Sequence, residues 1–376
     1  MEREIQKLSL LREKIRFMRS SKEKALLIKD YYNIVAFLLN AGYINDIDIF
    51  NFDDDEEEIY ERLYDREMDK IIKNLTSNPT KLREIFQTLI DYYHKYSFSV
   101  KKSFTRVSID PTKMNGVLSS FFWNINDDVL MLFRKMTSEK RFVQNGACRV
   151  EGVAINTMNT DFAYAVISNP KDDLEYYLSI AHEMGHIYTM YLQRLNPNFV
   201  NVEITSEVVS LLFEKLFLHF LEINDFMYFE YLKSQELHHS FMLNYLSISK
   251  IIMNLHANNL VKGYDKDLLT IFPKVDEKEL LSIFNKDCGL DYQSLQKFDY
   301  GVITYPIGEI ISNHFFFSII DDHDKGMNEL KKFIMSCQRM SLNELISLFM
   351  NDLTDSFEYI DLFMKKYKSL EKKLTY

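Results

Sequence analysis

Residues 182–186 read His-Glu-Met-Gly-His, and the pattern has chemical meaning only on an α-helix. On a helix, side chains four apart leave the same face one turn above the other. Two imidazole nitrogens can then reach one Zn²⁺ at roughly 2.0–2.1 Å. Glu183 stands beside them, where it can take a proton from a water activated by that ion. The flanking sequence supports the helix. Asp172 or Asp173 can cap a segment running to about Leu195, with Leu174, Tyr177, Leu178, Ala181, Gly185 and Leu192 as its buried stripe. His182 and His186 fall along that stripe, away from the wet face. Gly185 inside a helix costs roughly 1 kcal/mol against Ala, and its missing side chain would allow another element to approach closely.

The rest of the chain reads mostly helical. Only 6 prolines and 10 glycines punctuate 376 residues, 47% of them hydrophobic. That is enough apolar material for a large core, and too few turn residues for a chain of many short strands. Residues 1–40 suggest one or two amphipathic helices, with Ile5, Leu8, Leu11 and Ile15 spaced by three or four. The acidic run 53–58 leads into a helix near 56–74, where acids complement the N-terminal dipole. Asn78-Pro79-Thr80 breaks the chain before a helix over about 80–96. Residues 100–170 change character. Apolar runs such as Val117–Trp123, Phe142-Val143 and Val150–Ile155 alternate with Gly146 and Gly152, and 161–168 reads as a strand, so a small sheet is expected there. From Asp172 onward helices return, broken at Asn196-Pro197, Gly263, Pro273, Gly289 and Pro306. The expected fold is mainly α with a small β-sheet, in a helical N-terminal region (1–100) and a catalytic region (101–376).

A formal net charge of −10 argues against nucleic acid as the main partner. Cys148, Cys288 and Cys337 are far apart and odd in number, so no disulfide framework follows. A reducing compartment, the cytoplasm, is the natural expectation. No apolar run reaches the roughly 18 residues of a membrane span, and the N-terminal residues lack a signal peptide's apolar core.

Two histidines are too few for a catalytic zinc, which commonly takes three protein ligands and keeps one position open. A metzincin would need Gly at position 189 and His at 192, and this chain has Thr189 and Leu192. A carboxylate from a following helix is the other solution. Glu203, Glu207 and Glu214 are available, and Glu207, Ser210 and Glu214 share one helix face at i, i+3 and i+7. One carboxylate could bind the metal while another hydrogen-bonds a ligand histidine's second nitrogen and fixes its tautomer. Histidines and carboxylates buried without an ion would need other partners or cost several kcal/mol.

His-Glu-x-Gly-His followed by Glu-x-x-Ser-x-x-x-Glu resembles the thimet oligopeptidase and oligopeptidase F family of zinc peptidases. The similarity extends upstream through 162–181 and downstream to Phe298-Asp-Tyr-Gly-Val-Ile-Thr-Tyr-Pro-Ile-Gly308, which is similar to the family's tyrosine-rich stretch. The resemblance implies a helical zincin-type peptidase with its small sheet beside the active-site cleft. It implies Zn²⁺ held by His182, His186 and Glu207, with Glu183 as general base and Glu214 as a carboxylate behind the ligands. It further implies Tyr305, or Tyr300, as hydrogen-bond donor to the oxyanion, and a strand carrying Phe162, Ala163, Tyr164 and Ala165 that pairs with the backbone of a peptide substrate. Thr189 stands where the family usually has a further histidine, Gly301 and Ile303 where aromatics are common, and the region before the metal motif is shorter than the family's. The implied activity is endoproteolysis of short unstructured peptides. A weakly active or inactive peptide-binding or maturation protein on the same fold is the alternative. A different gluzincin with Glu203 as ligand is a third reading.

Overall fold

The computed structural model describes residues 2–40, 70–96, 111–145, 152–156, 164–168, 174–194, 206–224, 228–258, 300–337 and 340–374, with Glu58 and Arg62 besides. In chain order the elements are α1 (Glu2–Phe17), α2 (Ser21–Asn40), α3 (Pro79–Tyr93), α4 (Pro111–Ile125), α5 (Asp127–Ser138), β1 (Phe142–Gln144), β2 (Gly152–Asn156) and β3 (Tyr164–Ser168). They continue with α6 (Leu174–Arg194), α7 (Ser206–Ile223), α8 (Tyr228–Ala257), a 3₁₀ turn (Tyr300–Ile303), α9 (Thr304–Asp321), α10 (His323–Ser336), α11 (Leu342–Leu345), a π-helical turn (Ile346–Met350) and α12 (Thr354–Leu374). The fold is mainly helical with one small sheet, as the sequence implies. Two compact units divide the chain: Met1–Glu67 with Val107–Pro197, and Met68–Arg106 with Asn198–Tyr376. Among the described residues no helix is long and apolar enough to cross a membrane. Cys337 is buried, while Cys148, Cys288 and the acidic run 53–57 lie outside the described residues.

The first unit layers a helix pair, the sheet and α6. Leu8, Leu11 and Ile15 of α1 meet Ile28, Tyr31, Ile34, Val35 and Leu38 of α2 in a core that also takes Ile155, Ala165 and Ile167. The strands run in the order β1-β3-β2. β1 pairs parallel to β3 with Phe142 opposite Val166, and β2 pairs antiparallel with Ile155 opposite Ala165 and Asn156 opposite Tyr164. Strand alternation turns Ala165 and Ile167 toward α1 and α2, and therefore Tyr164 and Val166 toward the opposite face. Gly152 begins β2 on that opposite face, against α6.

The sheet is narrower than the sequence suggests. Val117–Trp123 belongs to α4, not to a strand. Pro111 opens that helix where a missing N–H does no harm, and Met114, Leu118, Phe121, Phe122 and Ile125 are buried at helical spacing. Asn126 links this region to α6. Its Oδ1 caps α5 by accepting from the Val129 N–H at 2.9 Å, and its Nδ2 donates to the Tyr188 hydroxyl at 3.0 Å.

In the second unit α9 is buried almost all round, with Ile307, Gly308, Ile310, Ile311, Phe315, Phe316 and Ile319 inside. A helix enclosed on every side is a central core element. Pro306 sits in its first turn, where the backbone nitrogen has no helical acceptor to lose, so it starts the helix instead of breaking the chain. His314 precedes three phenylalanines but falls outside the buried stripe; it is half-exposed and its Nδ1 lies 2.8 Å from Asp355 Oδ2.

α3 and α8 meet where the His239 ring lies edge-on to Tyr93 at 4.7 Å. His239 is only 4% exposed. Burial, helped by His238 and His94, pulls its pKa down to about 3. The neutral ring is therefore the folded form, and the unfolded chain binds the extra proton between the usual histidine value near 6.5 and about 3. Stability contributed by His239 is complete above pH ~6.5 and declines as the pH falls through that window. His239→Phe should flatten the loss of melting temperature between pH 6.5 and 4, by up to about 1.4 kcal/mol per pH unit. Parallel thermal melts of the two proteins across that range check it, and identical slopes would refute the assignment.

Candidate metal centre

α6 carries His182 and His186 half-buried one turn apart, with Glu183 buried between them in the chain. The Nε2 atoms of His182 and His186 stand 3.1 Å apart. One donor atom from each of His182, His186 and Glu207 completes a group in which every pair lies within 4.8 Å. Two nitrogens bound tetrahedrally to one zinc at about 2.0–2.1 Å are separated by roughly 3.3–3.4 Å. The observed spacing is close to that edge, and two imidazoles with one carboxylate are a borderline donor set that suits zinc. The residues fit the ion.

Glu207 is 8% exposed and Ser210 is wholly buried. The Ser210 hydroxyl lies 3.1 Å from Glu207 Oε2 and 3.1 Å from the Glu207 carbonyl oxygen. It can donate to either, and donation to the carboxylate holds one of its oxygens in place. This explains the Glu-x-x-Ser spacing on one face of α7. Glu214, two turns on, is half-buried on the same helix. Glu203 lies outside the described residues.

Two glycines bring backbone against the two glutamates. A Cβ on Gly308 would stand 2.8 Å from Glu207 Cβ and 3.0 Å from its backbone carbon, so only a hydrogen lets α9 seat against α7 there. A Cβ on Gly152 would stand 2.8 Å from Glu183 Oε1 and 2.6 Å from Ser179 Oγ. Gly308 is legible in the sequence as the end of the tyrosine stretch, but its contact is not. Gly152 reads there only as a strand punctuator.

The other expected residues divide. Tyr305 begins α9 half-buried, its ring stacked on Tyr245 at 4.6 Å. Tyr300 opens the preceding 3₁₀ turn. Thr189, in place of a further histidine, is buried and returns its hydroxyl to the Gly185 carbonyl at 3.0 Å, so it adds no metal donor. The strand expected to pair with substrate is β3. β3 is the middle strand, flanked by β1 and β2, so Val166–Ser168 have both edges engaged. Tyr164 and Ala165 are paired to β2, and Phe162 and Ala163 lie outside the described residues. The strand has the burial of a central strand because it is one. Tyr164 faces the α6 side, with the Arg194 guanidinium 5.9 Å from its ring centre.

The fold and this donor group define a mainly helical protein with a His-Glu-x-x-His helix and a carboxylate as third potential metal donor. Among solved structures the chain is similar to a "putative peptidase" from Chlamydophila abortus, with a TM-score of 0.52 at 15% identity, covering 81% of this chain and 55% of that one. It is also similar to a "putative oligoendopeptidase F" from Bacillus anthracis, with a TM-score of 0.50 at 14% identity, covering 95% of this chain and 67% of that one. The chain thus shares its mainly helical fold with these peptidase structures, and it spans about half to two thirds of their length. No family model and no curated protein matches the sequence.

Gly308→Ala should weaken zinc binding about tenfold or more, because the added methyl meets backbone that cannot rotate away. Calorimetric zinc titration of variant and parent tests this, and equal affinities would show that α9 does not seat Glu207.

Proposed function

We propose that this protein is a zinc-dependent endopeptidase acting on short unstructured peptides, with residues 101–376 as the catalytic part. The observation that carries the reading is the clustering of His182, His186 and Glu207 donor atoms within 4.8 Å, with Glu183 buried on the same helix as the histidines. The fold it shares with peptidase structures supports it. His182, His186 and Glu207 would hold the ion, which when bound supplies a Lewis acid that lowers the pKa of water and polarises a carbonyl.

The remaining roles belong to the chain's own groups. Glu183 takes a proton from the attacking water and passes it to the leaving amine. Its burial removes competing water from around the carboxylate, which sharpens every charge interaction there. Glu214 orients a ligand imidazole through the nitrogen that faces away from the metal. Tyr305, or Tyr300 from the turn before it, donates a hydrogen bond to the oxyanion of the tetrahedral intermediate. Substrate backbone would pair with the strand that carries Tyr164 and Ala165, or with the outer edge of a flanking strand.

Three variants separate these roles. Glu183→Gln keeps the shape and should keep zinc, but should abolish cleavage of a mixed peptide library read by mass spectrometry. Wild-type turnover in that variant would sink the mechanism. Glu207→Ala should empty the site by metal analysis while Glu203→Ala leaves it filled; the reverse result would favour the different gluzincin. Gly152→Ala should retain zinc and lower kcat about tenfold with little change in KM, since its methyl displaces the flexible carboxyl end of Glu183. Binding without fragments in the parent protein would mark it as a peptide-binding protein.

A further inference from the structure

Next to the metal donors, but not among them, lies a buried ion pair. Lys215 on α7 and Glu309 on α9 have side chains only 2% and 4% exposed, and Nζ approaches Oε2 at 2.6 Å. The ammonium also donates to Ser312 Oγ at 2.5 Å. His238 on α8 brings its Nε2 to 3.4 Å from the same Oε2. Among the described residues Glu309 Oε1 has no hydrogen-bond partner.

Such a pair is a poor way to gain stability. Removing two charges from water offsets most of their attraction, and well-packed apolar residues of similar volume commonly do as well or better. An oxygen left without a donor makes the balance worse. What the pair does supply is register. A slide of α9 by one residue is about 1.5 Å, enough to separate a 2.6 Å contact and strand two buried charges. An apolar contact tolerates such a slide far better.

The register in question is the one the site depends on. Glu309 follows Gly308, the residue whose bare Cα seats against Glu207. Tyr305 lies one turn earlier on the same helix. Fixing Glu309 to α7 therefore fixes both Gly308 under Glu207 and Tyr305 relative to it.

We propose that Lys215, Glu309 and Ser312 form a buried register lock that sets α9 against α7 and so positions Glu207 for metal binding and Tyr305 for the oxyanion. Lys215 and Glu309 are positioning residues, and neither is a ligand. The inference rests on Glu207 being a metal ligand, and zinc binding by the parent protein tests that premise by itself.

The test replaces the pair with apolar residues in the full chain, Lys215→Met with Glu309→Leu. The metal-free double variant should melt at or above the temperature of the parent. Its zinc dissociation constant should nonetheless rise about tenfold or more, and the visible spectrum of the cobalt-loaded protein should change shape. A stable variant with parental zinc affinity and an unchanged cobalt spectrum overturns the lock. Ser312→Ala, which removes one acceptor and little volume, covers the case in which the double variant does not fold. It should leave the melting temperature within a degree or two and weaken zinc binding about threefold, and unaltered affinity there counts against the proposal equally.

Discussion

The site depends on backbone being allowed to lie directly against two glutamates. At Gly308 the α9 backbone occupies the space a methyl would need beside Glu207, and at Gly152 β2 does the same beside Glu183 and Ser179. Neither contact is an attraction worth much by itself. Each is a steric boundary: Gly308 lets α9 seat against the backbone and Cβ of Glu207, and Gly152 lets β2 approach the carboxyl end of Glu183. Loss of a side chain here constrains its neighbour, and an added one would displace it.

Charge is distributed to match. The second unit buries Lys215 with Glu309, which neutralise each other. Burial pulls Lys215 down from the ordinary lysine range while Glu309 pulls it back up. Burial would push Glu309 up, yet Lys215 and then His238 outweigh it and hold the carboxyl at about 2. Glu309 is therefore committed to its ion pair throughout the neutral range. Glu183 and Glu207 are different, since both are buried and the side chains grouped with Glu207 are imidazoles. A group of two imidazoles and one carboxylate is one to which a divalent cation is the natural complement.

Much of this was legible in the sequence. His182, Glu183 and His186 were readable because a helix forces i and i+4 together, and the α6 boundaries follow from its apolar stripe. Glu207 with Ser210 was readable as a face, and the hydroxyl's approach to the carboxylate gives that spacing its reason. Three things were not. The helix over Val117–Trp123 looked like a strand because short apolar runs carry no clear period. The centrality of β3 depends on partners distant in the chain, and strand order is set by long-range packing. The Lys215–Glu309 pair joins two helices far apart in the chain. Lys215 follows Glu214 in Leu-Leu-Phe-Glu-Lys-Leu-Phe, and Glu309 is a lone charge in Ile-Gly-Glu-Ile-Ile. Only a fold could say that they face each other.

The topology of the sheet also narrows how a peptide could be held. Val166–Ser168 have spent their backbone donors and acceptors on both sides, so an extended substrate running alongside them would add at the outer edge of β1 or β2. Of these, β2 has its first residue, Gly152, packed on Glu183. A strand added to β2 would therefore run beside an element already in contact with the proposed general base. β1 offers three residues and no such contact. Backbone pairing at β2 would couple substrate register to the position of Glu183 through one glycine, and that coupling is the physical reason a single methyl at 152 should alter turnover more than affinity.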